Sequence, residues 1–168
     1  MSNAHKFKLI FGLGNPGEEY KETYHNAGDL FVKFLKGKTA AKTLRAGETE
    51  TFMNEIGKET LKAMKKSGIK PDEILIAHDD ADIELGDYKI SFGSGSAGHK
   101  GVESIIKSLG TKDFWRLRIG TLKKNFFGKK IKAGKIALKK ITSSDWEKMS
   151  ETFEKIAAEI DPVRNPGQ

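Results

Sequence analysis

The order of apolar and polar positions along the chain predicts strands that alternate with helices. Short apolar runs bounded by glycine or acidic residues are typical of buried strands, whereas apolar positions three and four residues apart are typical of helices. The predicted strands are residues 8–12, 42–45, 74–80, 88–92 and 114–122, and the predicted helices are residues 29–36, 54–66, 102–109 and 145–160. This alternation predicts a layered α/β domain.

The 168-residue length fits one domain, and the two ends differ from the predicted core. Residues 1–4, Met-Ser-Asn-Ala, resemble a cloning remnant, and residues 161–168 follow the last predicted helix as a tail. The predicted domain therefore spans residues 5–160. Within it, residues 123–140 are rich in lysine and give no clear helical or strand pattern.

A glycine motif follows the first predicted strand, in the stretch LIFGLGNPGEEY. Its spacing, G-x-G-x-x-G, is that of dinucleotide-binding loops, which also need a second strand ending in an acid about 20 residues later. Pro16 has no N–H to offer a pyrophosphate, and the segment after Gly28 is predicted to be helical. The motif therefore favours a tight turn that presents Asn15 beyond the strand.

The charge balance points to a polyanionic partner. Lys and Arg number 30 against 23 Asp and Glu, which gives a net charge of +7. Such a surplus favours nucleic acid, although a solvated lysine surface has the same composition. The absence of cysteine excludes thiolate chemistry, and no apolar run approaches membrane length. Without a visible signal peptide, the expected location is cytoplasmic.

Polar residues that can carry chemistry follow several of the predicted strands. In an α/β sheet, ligands gather beyond the carboxyl ends of the strands. A histidine beside a carboxylate can activate water, because the acid orients the ring and stabilises its charged form. Each residue also has a structural alternative: a surface histidine, an asparagine that caps its turn, or acids in a turn. The candidates are Asn15, His25, Asn26, Asn54, His78, Asp79, Asp80, His99 and Lys100.

Five motifs in order resemble the bacterial-type peptidyl-tRNA hydrolases: GLGNPGEEYKETYHNAG, TFMN, ILIAHDDADIELG, GSAGHKGVESII and WRLRIG. The resemblance runs from residue 8 to residue 120. It implies one three-layer domain with a mixed, twisted sheet between helices. It also implies an esterase that cuts the bond between a peptide and the 3′-terminal ribose of tRNA, works as a monomer, and needs no metal or cofactor.

The resemblance assigns roles to individual residues. His25 matches the catalytic histidine, Asp79 matches the carboxylate that orients it, and the amides of Asn15 and Asn54 line the site. The further residues expected to bind the substrate are Tyr20, Phe52 and Lys100, the last through a phosphate near the 3′ end of the tRNA. Those expected to bind the rest of the tRNA are Lys89, Arg118, Lys123 and Lys124.

The sequence departs from the family pattern at several positions. Lys100 stands where an asparagine is usual, and lysine cannot accept a hydrogen bond. Ser91 stands where a basic residue is common, so Lys89 is expected to substitute for it, with Arg118 as its partner. The usual I-G-x-P-x-G pattern is replaced by LKKNFFGKKIKAGK, and the short segment 37–50 predicts a smaller sheet.

Two other functions remain open from the sequence. One is a catalytically weak RNA-binding relative of the family, which the change at Lys100 favours. The other is a metal-dependent phosphoesterase with hard ligands for magnesium or manganese. Its candidate ligands are His78, Asp79, Asp80 and Asp82.

Overall fold

The computed structural model describes residues 7–39 and 41–160, so the predicted remnant and tail lie outside the described residues. The strands are β1 (Leu9–Gly12), β2 (Lys42–Arg45), β3 (Ile74–Glu84), β4 (Tyr88–Phe92) and β5 (Trp115–Leu122). The helices are α1 (Ala27–Leu35), α2 (Gly57–Ser67), α3 (Lys100–Leu109), α4 (Ala133–Ile136) and α5 (Ser143–Ile160). Short 3-10 turns cover Tyr24–Asn26, Ala46–Glu48, Met53–Glu55 and Pro71–Glu73.

The five strands form one mixed sheet in the order β2-β1-β3-β5-β4. Strands β2, β1, β3 and β5 run parallel to their neighbours, and β4 pairs antiparallel with β5 at the edge. The carboxyl ends of the four parallel strands therefore share one edge of the sheet. Polar residues that follow those strands are brought to that edge.

Helices cover both faces of the sheet and enclose two apolar clusters. On one face, Phe31 of α1 and Phe153 of α5 pack over Leu117 of β5. On the other face, Val102 of α3 and Ile76 of β3 belong to a second buried cluster, and α3 packs beside α2. The two clusters confirm the predicted three-layer α/β arrangement. No described helix is both long and apolar enough to cross a membrane.

Two element boundaries differ from the sequence prediction by three residues or more, and the others differ by at most two. Strand β3 continues through the acids to Glu84, because β5 pairs with it along Asp79 and Asp80 and again, after an irregularity, at Glu84. Helix α2 begins at Gly57 rather than at residue 54. The Gly57 N–H donates to Ser104 Oγ of α3 at 2.9 Å, and a Cβ on Gly57 would lie 2.0 Å from the Ser104 carbonyl oxygen.

Candidate active site

Close packing of α1 against β3 brings His25 to the edge of the sheet. His25 lies in the 3-10 turn that precedes α1, and its N–H donates to the Ala137 carbonyl at 2.8 Å. Three residues later, a Cβ on Gly28 would lie 2.0 Å from the Ala77 carbonyl oxygen, so only glycine permits this approach. The turn that carries His25 therefore lies directly against the part of β3 that carries Asp79.

His25 and Asp79 form a hydrogen-bonded pair. His25 Nδ1 lies 2.9 Å from each carboxylate oxygen of Asp79, and the two residues are 54 positions apart in the chain. Asp79 is buried, whereas 22% of the His25 side chain is exposed. In the neutral ring, Nδ1–H donates to the carboxylate and Nε2 keeps its lone pair. The exposed nitrogen is thus the basic one.

A second histidine holds the same carboxylate. His99 Nε2 lies 2.8 Å from Asp79 Oδ1, and His99 Nδ1 accepts the Val102 N–H at 3.4 Å. The ring of His99 also packs 4.7 Å from that of His78. The sequence places His99 among the candidates in its glycine loop and assigns it no role. The available signal was a histidine just before a predicted helix, where it can cap the first turn.

The charges in this cluster shift several pKa values. Burial alone would lower the pKa of His25, but the hydrogen bond and charge of Asp79 outweigh it and raise the pKa above the usual histidine value. Burial alone would raise the pKa of Asp79, but His99 and His25 hold it well below the usual carboxyl range. Burial, with the neighbouring charge of His99, lowers the pKa of His78 to about 3. Asp79 is therefore ionised and His78 neutral at pH 7.

A second group of predicted residues lies beside the turn Met53–Glu55. Asn15 Oδ1 accepts the Met53 N–H at 2.9 Å, so the Asn15 amide joins the end of β1 to this turn. Tyr20 and Phe52 contact each other edge-to-face, with ring centroids 6.0 Å apart. Asn54 is exposed on the turn. We call Asn15, Tyr20, Phe52 and Asn54 the asparagine–aromatic patch.

Asn26 fixes the loop that carries Asn15. The Asn15 N–H donates to Asn26 Oδ1 at 2.9 Å, and Asn26 Nδ2 donates to the Asn15 carbonyl at 3.0 Å. Asn26 follows His25 in the same 3-10 turn and is buried. This pair of hydrogen bonds links the patch to the histidine cluster through neighbouring residues.

A cleft of about 300 Å³ opens beside the histidine cluster. His25, Asp79, His99 and Lys100 line it, together with the basic residues Arg116 and Arg118 of β5. Arg118 Nε donates to Asp80 Oδ2 at 2.7 Å. Lys89 of β4 stands opposite Arg118 across the strand pair and is exposed. The cleft is therefore lined both by the histidine–carboxylate cluster and by guanidinium groups.

Three buried polar atoms in the described chain have no hydrogen-bond partner: His78 Nε2, Ser91 Oγ and Arg116 Nε. Ser91 stands opposite Arg116 across the β4–β5 pair, and both His78 and Arg116 line the cleft. Burial, followed by the charge of Arg118, lowers the pKa of Arg116. Buried polar groups are normally satisfied by protein, water or ligand. The cleft floor can thus accommodate a polar or anionic group.

The predicted lysines differ in how far they are already engaged. Lys100 Nζ lies 3.5 Å from Glu103 Oε2, and 74% of its side chain is exposed at the cleft. Lys123 Nζ donates to Asp145 at 2.5 Å and to the Tyr24 hydroxyl at 3.3 Å. Burial alone would lower the pKa of Lys123, but these hydrogen bonds raise it. Lys124 pairs with Glu84. Lys123 is thus largely committed to internal contacts.

The residues with metal-ligand geometry are not those expected from the sequence. Within the described ranges, the ligand atoms of His25, Asp79 and His99 lie within 4.8 Å of one another, whereas no such group includes Asp80 or Asp82. Asp80 instead accepts hydrogen bonds from Arg118 and from the Asp82 N–H. The acids that follow Asp79 therefore serve as scaffold.

Comparison with known proteins identifies the family. The family model described as peptidyl-tRNA hydrolase matches residues 9–167. The chain belongs to the peptidyl-tRNA hydrolase family. A peptidyl-tRNA hydrolase of Neisseria meningitidis serogroup A is 40% identical over 139 residues, which is 71% of each chain. One from Coxiella burnetii is 41% identical over 128 residues, which is 67% of this chain and 68% of its own.

Solved structures agree with this membership. A crystal structure of the peptidyl-tRNA hydrolase from Acinetobacter baumannii superposes with a TM-score of 0.79 at 29% identity. The match covers 95% of this chain and 89% of that one. The resemblance found in the sequence motifs is therefore confirmed at the level of both family and fold.

Proposed function

We propose that this peptidyl-tRNA hydrolase cleaves the ester of peptidyl-tRNA with His25 as the general base and Asp79 as its orienting carboxylate. The observation that carries the proposal is the hydrogen bond of His25 Nδ1 to Asp79, which leaves Nε2 as the basic nitrogen of a residue that lines the cleft. The names of the relatives supply the substrate, and the net charge of +7 suits a polyanion.

The reaction follows from the tautomer of His25. Nε2 takes a proton from water, and the resulting hydroxide attacks the carbonyl carbon of the ester. The tetrahedral intermediate collapses as its bond to the ribose oxygen breaks, and the imidazolium returns its proton to that oxygen. The products are a free peptide carboxylate and a tRNA with a free 3′-terminal hydroxyl. The charge of Asp79 stabilises the imidazolium while it exists.

His99 acts on the reaction through Asp79. Its Nε2–H occupies one carboxylate oxygen, which keeps Asp79 ionised and fixes its plane relative to His25. His99 is therefore a positioning residue in this proposal. Its own position depends on the first turn of α3, where it accepts the Val102 N–H.

The substrate is divided between two surfaces on either side of His25. The asparagine–aromatic patch offers amide and aromatic groups to the peptide and ester, with the free amide of Asn54 nearest to solvent. Arg118 and Lys89 offer positive charge to a tRNA phosphate, in place of the basic residue that Ser91 replaces. Lys100 adds an exposed ammonium to the lining of the cleft. Lys123 and Lys124 contribute less, because both are paired with acids.

The two other functions give distinct results in the same assay. The test is release of labelled peptide from a defined peptidyl-tRNA, with and without EDTA. We expect wild-type release in both conditions and strongly reduced release by His25→Ala. Tight tRNA binding without release would favour the RNA-binding relative, and the chain would then differ from its family in activity. Release that EDTA abolishes and magnesium restores would favour metal chemistry at the His25–Asp79–His99 cluster.

A cytoplasmic location and a monomeric state complete the proposal. The substrate arises during translation, so an enzyme that acts on it must meet it in the same compartment. The cluster of His25, Asp79 and His99 comes from a single chain, so the proposed chemistry needs no second copy. Light scattering during size-exclusion chromatography should give the mass of one chain, and a mass of two chains would contradict the monomer.

A further inference from the structure

An exposed hairpin follows β5. Residues 123–130, KKNFFGKK, double back on themselves, with an antiparallel bridge between Lys124 and Lys130. The Asn125 N–H donates to the Lys129 carbonyl at 2.8 Å, and Asn125 Oδ1 accepts the Phe127 and Lys129 N–H groups at 3.0 Å each. Gly128 closes the turn with φ +74°. We call residues 123–130 the KKNFFGKK hairpin.

The tip of the hairpin presents two bare aromatic rings. Phe126 is 98% exposed and Phe127 is 83% exposed. Their ring centroids lie 5.6 Å apart at an angle of 87°, so the two faces point in perpendicular directions. Backbone hydrogen bonds and the Asn125 side chain stabilise the turn, whereas the two rings contact each other. Two adjacent phenylalanine side chains with this much exposure are unusual on a folded protein. Exposed apolar groups of this kind commonly mark a surface that a partner covers.

The hairpin also carries free positive charge. Lys129 and Lys130 are exposed and form no ion pair with any residue in the described ranges. The other leg is fixed to the protein, because Lys123 pairs with Asp145 and Lys124 pairs with Glu84. The Lys124 hydrogen bond, then the charges of Lys124 and Lys130, lower the pKa of Glu84, so Lys130 also acts on that carboxylate without an ion pair. The hairpin thus has one anchored leg, an aromatic tip and one leg with two exposed lysines.

The base of the hairpin lies at the candidate active site. Ile131 closes it with an N–H bond to the Lys123 carbonyl at 2.9 Å and packs against the core. The chain then enters α4, where Ala133 and Gly134 line the cleft and Ala137 accepts the His25 N–H. The hairpin is therefore separated from the cleft lining by only residues 131 and 132 along the chain.

We propose that the KKNFFGKK hairpin binds unpaired nucleotides of the RNA substrate, with Phe126 and Phe127 stacking on bases and Lys129 and Lys130 contacting phosphates. Aromatic rings interleaved with lysines are the recognition chemistry of single-stranded nucleic acid. The identification of that RNA as peptidyl-tRNA rests on the proposed function. A lipid surface would also attract basic and aromatic groups, but two rings on a narrow turn offer little apolar area for insertion.

The test measures affinity for a fluorescent 12-nucleotide single-stranded RNA that carries no ester. Phe126→Ala and Phe127→Ala should each weaken binding by about tenfold, because stacking contributes this order of affinity per base. Binding of a blunt duplex of equal length should change little. Phe→Tyr at either position should retain affinity, whereas Phe→Leu should lose it. Leu138→Ala is the matched control, because Leu138 is 59% exposed and lies outside the hairpin.

Other outcomes would overturn the proposal. Unchanged RNA affinity in the double alanine variant would reject stacking, as would full affinity in the leucine variants. Loss of binding to anionic phospholipid vesicles with unchanged RNA affinity would assign the tip to a membrane instead. Circular dichroism of the same variants should be that of the wild type, since both rings lie outside the core.

The peptide-release assay separates this inference from the proposed function. Phe126→Ala/Phe127→Ala should raise KM at least tenfold and leave kcat within a factor of about two, because the rings lie away from the reacting atoms. Peptide release with an unchanged KM would overturn the hairpin and leave the hydrolase intact. Ring-dependent binding of the 12-nucleotide RNA without peptide release would support the hairpin and reject the hydrolase.

Discussion

The histidine cluster and the KKNFFGKK hairpin lie on the same side of one fold but are built in opposite ways. In the cluster, a buried carboxylate is held between two imidazoles, and close packing of α1 against β3 brings His25 to it. In the hairpin, the rings are solvated and the shape is set by local hydrogen bonds. The side chains of the cluster are thus held by one another, whereas the rings of the hairpin are exposed to solvent.

This difference indicates which parts of a small fold must hold side chains in fixed positions for catalysis and which parts can vary in sequence. Groups that must hold a proton at one atom need burial and several fixed partners, because a free carboxylate or ring would lose its orientation. Groups that attract a polymer need only exposure and charge. Accordingly Asp79 is buried between two histidines, whereas the rings and lysines of residues 126–130 are exposed.

The largest expected effect comes from removing His25, the proposed general base. His25→Ala should lower kcat by roughly 10²–10⁴-fold, the usual contribution of a general acid–base group. Binding of tRNA should be unchanged, because the hairpin and Arg118 remain. Single-turnover peptide release and a parallel binding titration measure the two quantities. Turnover within a few-fold of the wild type would mean that another group activates the water.

The next effect concerns the carboxylate and its pH dependence. Asp79 raises the pKa of His25, and the base is active only when neutral, so wild-type activity falls as pH drops through that raised value. Asp79→Asn should lower kcat by no more than the roughly 10²–10⁴-fold of His25→Ala, because the carboxylate acts through the ring. It should also move the acidic limb of the profile to lower pH. A limb that moves to higher pH would contradict the pairing.

A third test compares Gly28, which lies beside the histidine cluster, with Gly128 in the turn of the hairpin. Gly28→Ala places a methyl group 2.0 Å from the Ala77 carbonyl, so α1 must move away from β3. It should lower the free energy of unfolding by about 1–3 kcal/mol and reduce kcat, because His25 moves from Asp79. Gly128→Ala has open space around it and should strain only the hairpin turn. Urea unfolding of both variants measures this, and equal losses would contradict it.

A smaller effect separates free lysines from engaged ones. Lys129→Gln with Lys130→Gln should reduce the salt slope of single-stranded RNA binding by about 1.4, at roughly 0.7 per phosphate contact. Lys123→Gln, the matched control, should instead destabilise the fold, because Asp145 loses its ion pair. Affinity across a salt series and thermal unfolding give the two readouts. An unchanged slope in the double variant would mean that these lysines are merely solvated.

The smallest effect is expected at Lys100. Its side chain is exposed and paired at 3.5 Å with Glu103, so it can turn to a phosphate without entering the cluster. Lys100→Asn should retain the bound-substrate rate and reduce the salt slope by about one phosphate contact. A large fall in that rate with an unchanged slope would place the lysine among the groups that act on the ester.

The sequence alone determined the order of elements, the layered α/β class and the family. Strands β2 and β4 begin and end where the pattern predicts, because period and turn residues are local properties. The motifs around His25 and Asp79 were also sufficient to nominate both residues. Sequence reasoning could go this far because each signal occupies a short stretch of chain.

Only the tertiary structure decided which of the candidate side chains contact one another. His99 reaches Asp79 across 20 residues, and Lys123 pairs with Asp145 across 22, so neither contact is encoded in a local pattern. Strand β3 extends through its acids because β5 pairs alongside, which overrides the polar composition that suggested a turn. Folding likewise determines which lysines form ion pairs with nearby acids and which are left to contact RNA. The amino-acid composition does not distinguish between these two groups.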